Sequence, residues 1–187
     1  MSDDRWLVLG LGNPGDQYAA TRHNIGQMVI NYLAINSKFS AHKSKTVIAD
    51  IRVAGHPVVL AKSTGYMNES GDPTKALADF YKITPKNLIV IHDELDIPFG
   101  EIKLKQGGGD AGHNGLKSLT QHFSGPDYFR IRMGIGRPDG PQDPGDYVLK
   151  PFSSNEKKEL QDFIAKGAEA VEKLIEKGLE ITQLYFH

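Results

Sequence analysis

The stretch Trp6-Leu7-Val8-Leu9-Gly10-Leu11-Gly12-Asn13-Pro14-Gly15 decides the fold class. Residues 6–12 are apolar or glycine with no polar alternation, the pattern of a buried strand, and the run ends in a glycine turn. A second run, Leu88-Ile89-Val90-Ile91, has the same character and leads into His92-Asp93-Glu94. Uninterrupted apolar strands belong in the middle of a sheet covered on both sides. Ile25, Met28, Val29, Tyr32 and Leu33 follow helical spacing, so a helix is predicted to begin close to His23. Asp72-Pro73 predicts another helix, with Asp72 as its cap and Pro73 at the first helical position.

Working outward, residues 46–53 and 58–62 read as a hairpin turned at Gly55-His56-Pro57. Residues 101–105 alternate around Ile102 and Leu104, Gly107 to Gly109 break the pattern, and Leu116, Leu119 and Phe123 predict a helix. Phe129 to Ile135 alternates strictly, which places Arg130 and Arg132 on one face. Residues 136–147, rich in Gly, Pro and Asp, predict a mobile loop. Ser153 and Glu156 form a capping box for a long helix that Gly178 stops. Strands alternating with helices indicate an α/β fold: one domain over residues 1–187, a twisted mixed sheet with helices on both faces. In such sheets the site lies beyond the C-terminal strand ends, where Asn13 and Asp93 fall.

The chain has 187 residues, enough to bury about 70% of its unfolded surface without disulfide or metal staples. It has no cysteine, which excludes a thiol nucleophile and thiolate metal ligation and fits a reducing compartment. The acidic start Met1-Ser2-Asp3-Asp4-Arg5 is unlike a signal peptide, and no segment nears the roughly 20 apolar residues of a membrane span. A soluble cytoplasmic protein is expected. The net charge of −1 is uneven: residues 101–137 carry Lys103, Lys105, Lys117, Arg130, Arg132 and Arg137 against Glu101, Asp110 and Asp127. That excess suffices to steer a few phosphates, but on charge alone a solvated sheet face, with Arg130 and Arg132 on an exposed strand, is the preferred reading.

Gly10, Gly12 and Gly15 match a dinucleotide fingerprint literally. Yet Asn31 to Lys38 holds no acidic residue for a ribose, Pro14 removes a donor, and the helix starts too late to hold a pyrophosphate. The turn instead presents the Asn13 amide. His23 serves as a base only with a partner that fixes its tautomer. Asp93 is the best candidate, with Glu94 and Asp96 as its equals on sequence alone. Asn68 offers an amide donor and acceptor, and Met67 an adaptable apolar wall. Gly112-His113-Asn114-Gly115 opens a helix whose backbone N–H groups could hold an anion or carbonyl oxygen, or that Asn114 simply caps. His92, Asp93, Glu94 and His113 match no strong metal spacing, and no metal is assigned.

Together these motifs closely resemble bacterial peptidyl-tRNA hydrolase, from about Trp6 to Tyr185. The carrying segments are Leu9 to Gly15 with Tyr18 and Thr21 to Gly26; Tyr66 to Gly71; His92 to Asp96; Gly107 to Leu116; and Phe129 to Gly136. Ala111 stands where many members have glycine. The resemblance implies a peptidyl-tRNA hydrolase/phosphorylase-like fold and hydrolysis of the ester joining a peptide to the 3′-terminal ribose of tRNA. It implies His23 as base and Asp93 as its orienting carboxylate. Asn13, Asn68, His113 and Asn114 would hold peptide, ester and terminal adenosine, with Tyr18 and Met67 as walls. Lys105 and Arg132 would hold tRNA phosphate. No metal or organic cofactor and a monomeric state are implied. The rival readings are a nicotinamide oxidoreductase, a non-catalytic tRNA-binding module and a related-fold amidase.

Overall fold

The computed structural model describes residues 4–187, so Met1 to Asp3 of the acidic start lie outside it. Seven strands form one sheet in the order β2-β3-β4-β1-β5-β7-β6. They are β1 (Trp6–Gly10), β2 (Ser40–His42), β3 (Thr46–Val53), β4 (His56–Ser63), β5 (Leu88–Glu94), β6 (Ile102–Gln106) and β7 (Phe129–Gly134). The four central strands run parallel, while β2, β3 and β6 pair antiparallel to their neighbours. The helices are α1 (Ile25–Leu33), α2 (Gly71–Tyr81), α3 (Asn114–His122), α4 (Pro144–Val148), α5 (Ser154–Lys177) and α6 (Leu179–Phe186).

The pleat of β1 divides the interior. Val8 packs with Ile25, Val29 and Val171 from α1 and α5, whereas Leu7 and Leu9 pack with Leu77, Leu116 and Leu119 from α2 and α3. Helices therefore cover both faces, and the mixed α/β architecture expected from the apolar runs is observed. The Ser153–Glu156 capping box and the stop at Gly178 (φ 86°) are present as read, and the hairpin β3–β4 forms with a tighter turn than expected, at Ala54-Gly55, so that His56 and Pro57 already pair with Val53 and Arg52.

Three local expectations are corrected. α2 starts at Gly71 behind Ser70, so Asp72 lies inside the first turn and does not cap it. The reason is tertiary. The Gly71 N–H is taken by Ser118 Oγ of α3 at 2.8 Å, and a Cβ on Gly71 would stand 2.2 Å from the Ser118 carbonyl oxygen. The segment 136–147 is not loop throughout, because Asp143 accepts from Gly145 N–H and Pro144 opens the short α4. Arg130 is no exposed strand residue. It is buried, and its guanidinium donates to the carbonyl oxygens of Gly108, Gly109 and Pro126, tying the glycine loop to β7.

Candidate active site

β1 and β5 are adjacent and parallel, so their C-terminal ends deliver Asn13 and Asp93 to one rim of the sheet. A one-turn 3-10 helix, Arg22–Asn24, precedes α1 and brings His23 to the same rim. His23 Nδ1 lies 2.8 Å from Asp93 Oδ2. His113 Nε2, reached from the start of α3, lies 2.8 Å from Asp93 Oδ1. Asp93 is 4% exposed. Burial alone would raise its carboxyl group, but the His23 and His113 rings on its two oxygens outweigh that and hold it well below the usual carboxylate range. An ionised carboxylate only accepts hydrogen bonds, so His23 donates through Nδ1–H and its lone pair sits on Nε2. Glu94 and Asp96, equal to Asp93 on sequence, take no part in this contact. A Glu94 carboxylate oxygen accepts from Asp96 N–H and Asp96 pairs with Arg137.

His23 stands where two clefts meet. One, of about 310 Å³, is lined by His92, Asp93, His113, Asp110 and Arg137 among others. The second, of about 360 Å³, is lined by Asn13, Met67, Asn68 and Asn114, with Tyr66 and Leu149. Asn114, Gly145 and Val148 border both, so α4 forms part of the roof. Asn13 is buried and immobilised. Its Oδ1 accepts from Met67 N–H at 2.7 Å, which leaves its Nδ2 as the available donor. Asn68 and Asn114 are exposed. Tyr18 is half-buried and meets Tyr66 edge to face at 6.3 Å. Met67 is buried because Gly115 makes room for it: a Cβ on Gly115 would stand 2.7 Å from Met67 Sδ.

The expected cap at Asn114 is corrected to His113. Its Nδ1 accepts from Gly115 N–H at 3.1 Å and Leu116 N–H at 3.4 Å. Those N–H groups are thereby occupied and cannot form the anion cradle that the glycine-flanked motif suggested. The loop before it is built on a left-handed Ala111 (φ 49°) followed by Gly112 (φ 81°), a conformation that glycine adopts without the Cβ clash. The metal-type grouping also changes. The ligand-capable atoms that converge within 4.8 Å belong to His23, Asp93 and His113, not to the set with His92 and Glu94. The His92 Nδ1–H instead donates to the Asp93 backbone oxygen.

Lys105 and Arg132 lie on the β6–β7 pair, where Lys103 pairs with Arg132 and Lys105 with Arg130. Both are half-buried. Burial, followed by the neighbouring Arg132 and Arg130, lowers the Lys105 ammonium from its ordinary value. Arg132 also pairs in register with His92 of β5, so a basic row begins directly at the site.

Two contributors have no signal of their own in the sequence. Asn24, 2% exposed, clamps Asn13 by accepting its N–H and donating to its carbonyl oxygen, both at 2.9 Å. Arg22 is buried, pairs with Glu156 at 2.9 Å and stacks on the Tyr147 ring at 3.9 Å. It ties α4 and the start of α5 to the turn that carries His23. The half-capping role of Glu156 was legible, but its second partner, 134 residues away, was not.

An imidazole oriented by a buried carboxylate, ringed by side-chain amides on the rim of an α/β sheet, is the equipment of a general-base hydrolase. The family model for peptidyl-tRNA hydrolase matches residues 7–187, and the chain belongs to that family. It is 53% identical to a peptidyl-tRNA hydrolase of Rhodococcus opacus, with all of both chains aligned. It is 50% identical to one of Frankia alni, covering 99% of this chain and 95% of the relative. The crystal structure of peptidyl-tRNA hydrolase from Acinetobacter baumannii superposes with a TM-score of 0.90 at 34% identity, covering 98% of this chain and 94% of the other. Among the described residues, no helix is long and apolar enough to cross a membrane.

Proposed function

We propose that this chain, one peptidyl-tRNA hydrolase domain over residues 1–187, hydrolyses the ester between a peptide and the 3′-terminal ribose of tRNA. It acts as a cytoplasmic monomer that recycles peptidyl-tRNA. The reading rests foremost on the 2.8 Å contact of His23 Nδ1 with Asp93 Oδ2 at the meeting point of two clefts. An ester has two arms, and a base between two clefts can address the carbonyl that joins them.

His23, held by Asp93, takes a proton from water through Nε2, and the water attacks the ester carbonyl. Asn13 Nδ2 donates to the developing oxyanion. It is preferred over Asn68 because its Oδ1 is already fixed by Met67 N–H, so the donor needs no reorganisation during reaction. The ribose oxygen leaves and is reprotonated by His23 or solvent. Asn68 and Asn114, with Met67 and Tyr18 as walls, receive the peptide in the amide-lined cleft. The 3′ end of the tRNA enters from the side of the basic row, with Lys105 and Arg132 on its phosphates.

The deciding experiment incubates the protein and His23→Ala with N-acetyl-aminoacyl-tRNA and with free aminoacyl-tRNA. Release from the blocked substrate alone is expected, reduced about 10²–10⁴-fold in the variant. tRNA binding should survive the substitution. Full turnover by His23→Ala overturns the assignment.

A further inference from the structure

We infer that His113 is a positioning residue, locked in one tautomer by the N-terminus of α3, whose task is to hold the Asp93 carboxylate square to His23. The inference rests on His23 acting as the base, and it gives His113 a different role from the substrate contact that the resemblance implies.

The argument is one of donors and acceptors. Asp93 Oδ1 accepts from His113 Nε2, so that nitrogen carries hydrogen. His113 Nδ1 faces two converging backbone N–H groups, Gly115 and Leu116, so that nitrogen carries the lone pair. These N–H groups are among the unpaired donors at the start of a helix, and Nδ1 is their cap. Moving the ring hydrogen to Nδ1 would turn it against both. The ring thus links two fixed points, the end of β5 and the start of α3. His92 backs it edge to face at 5.2 Å, and the His23 ring stands beside it at 4.9 Å, tilted by 41°. With both nitrogens engaged internally, His113 has no donor or acceptor left for a ligand. It can keep the carboxylate from rotating away when His23 gains and loses its proton.

The same lock bears on metal chemistry. The atoms of His23, Asp93 and His113 are close enough to surround an ion. Ligation through His113 Nε2 needs a lone pair there, and therefore hydrogen on Nδ1, where two N–H groups already point. The cluster is built for hydrogen bonding within the protein.

Two variants separate the halves of the ring. Asn at position 113 keeps an acceptor for the helix start but cannot reach Asp93. Gln reaches Asp93 with an N–H but is a poor cap. His113→Asn is expected to keep its Tm while kcat falls roughly 10- to 100-fold at unchanged KM. His113→Gln is expected to lose Tm but to recover part of kcat. In the unsubstituted protein, ring nitrogen NMR shifts at pH 7.5 should show hydrogen on Nε2 and a lone pair on Nδ1. A rise in KM at unchanged kcat in His113→Asn, or hydrogen on Nδ1, overturns the proposal. The NMR result stands if either variant fails to fold. It is also independent of catalysis, so a His23→Ala protein that retained turnover would defeat the assignment of His23 as base and leave the tautomer lock to its own test.

Discussion

Gly26, in the first turn of α1, lies against the carbonyl oxygen of Ile91, two residues before Asp93: a Cβ there would stand 2.2 Å from that oxygen. The close approach lets the turn bearing His23 reach the end of β5. Gly26→Ala should therefore push α1 away from the sheet, costing about 1–3 kcal/mol of stability and most of the turnover. Gly109→Ala, where a Cβ meets open space, should stay within about 0.5 kcal/mol of the parent. Urea unfolding and single-turnover assays check both, and a fully stable, active Gly26→Ala would show that the contact does not set the geometry.

Asn13 and Asn68 should separate kinetically. Asn13→Ala removes a donor already anchored to Met67 N–H, so kcat is expected to fall about 10²–10³-fold. Asn68→Ala, an exposed amide with no such anchor, should mainly raise KM. Steady-state kinetics on one blocked aminoacyl-tRNA decide this, and equal kcat losses would reject the preference for Asn13.

His92 gives the protein an acid sensitivity of defined sign. Burial foremost, with the His113 ring next, brings it from 6.5 down to about 3. Between those values the unfolded chain takes up a proton that the folded chain refuses. Stability is then complete above pH 6.5 and declines as pH falls through the window. His92→Gln removes this component. Its unfolding free energy, plotted against pH between 4 and 6, should be flatter by up to about 1.4 kcal/mol per pH unit. Parallel plots for the two proteins would refute the claim.

Lys105→Ala and Arg132→Ala should raise KM for full-length tRNA and each reduce the salt slope of log KM by roughly one. A short peptidyl-nucleotide ester should be unaffected. Arg130→Ala should behave differently: three backbone carbonyls lose their partner, so the loss appears in thermal stability and in the order of the 107–113 loop. Equal effects of Lys105→Ala and Arg132→Ala on both substrates would mark those residues as structural.

Much of this site was legible because its parts are local. A strand that ends in a glycine turn, a helix start at His23 and an apolar run that delivers Asp93 are each carried by a few neighbouring residues. The choice among Asp93, Glu94 and Asp96 was not. It depends on the pleat: Asp93 pairs in register with Met133, which packs in the same cluster as Ile25 and Val29 of α1. The burial of Arg130 was hidden for a related reason. Alternation places a side chain on a face, but only the fold of the 107–109 loop over that face covers it.

The order of the chain alone determined an α/β sheet, its central strands and the long capped helix, because apolar periodicity and turn chemistry act over a few residues at a time, and its motifs carried the family resemblance. Tertiary structure alone decided that Asn24 clamps Asn13, that Arg22 anchors α4 through the Tyr147 carbonyl oxygen and α5 through Glu156, and that His113 caps α3 while gripping Asp93. Each of these is a hydrogen bond whose geometry exists only after separate segments have packed. A donor and an acceptor far apart in sequence carry no mark of each other until burial removes the water that would otherwise satisfy both.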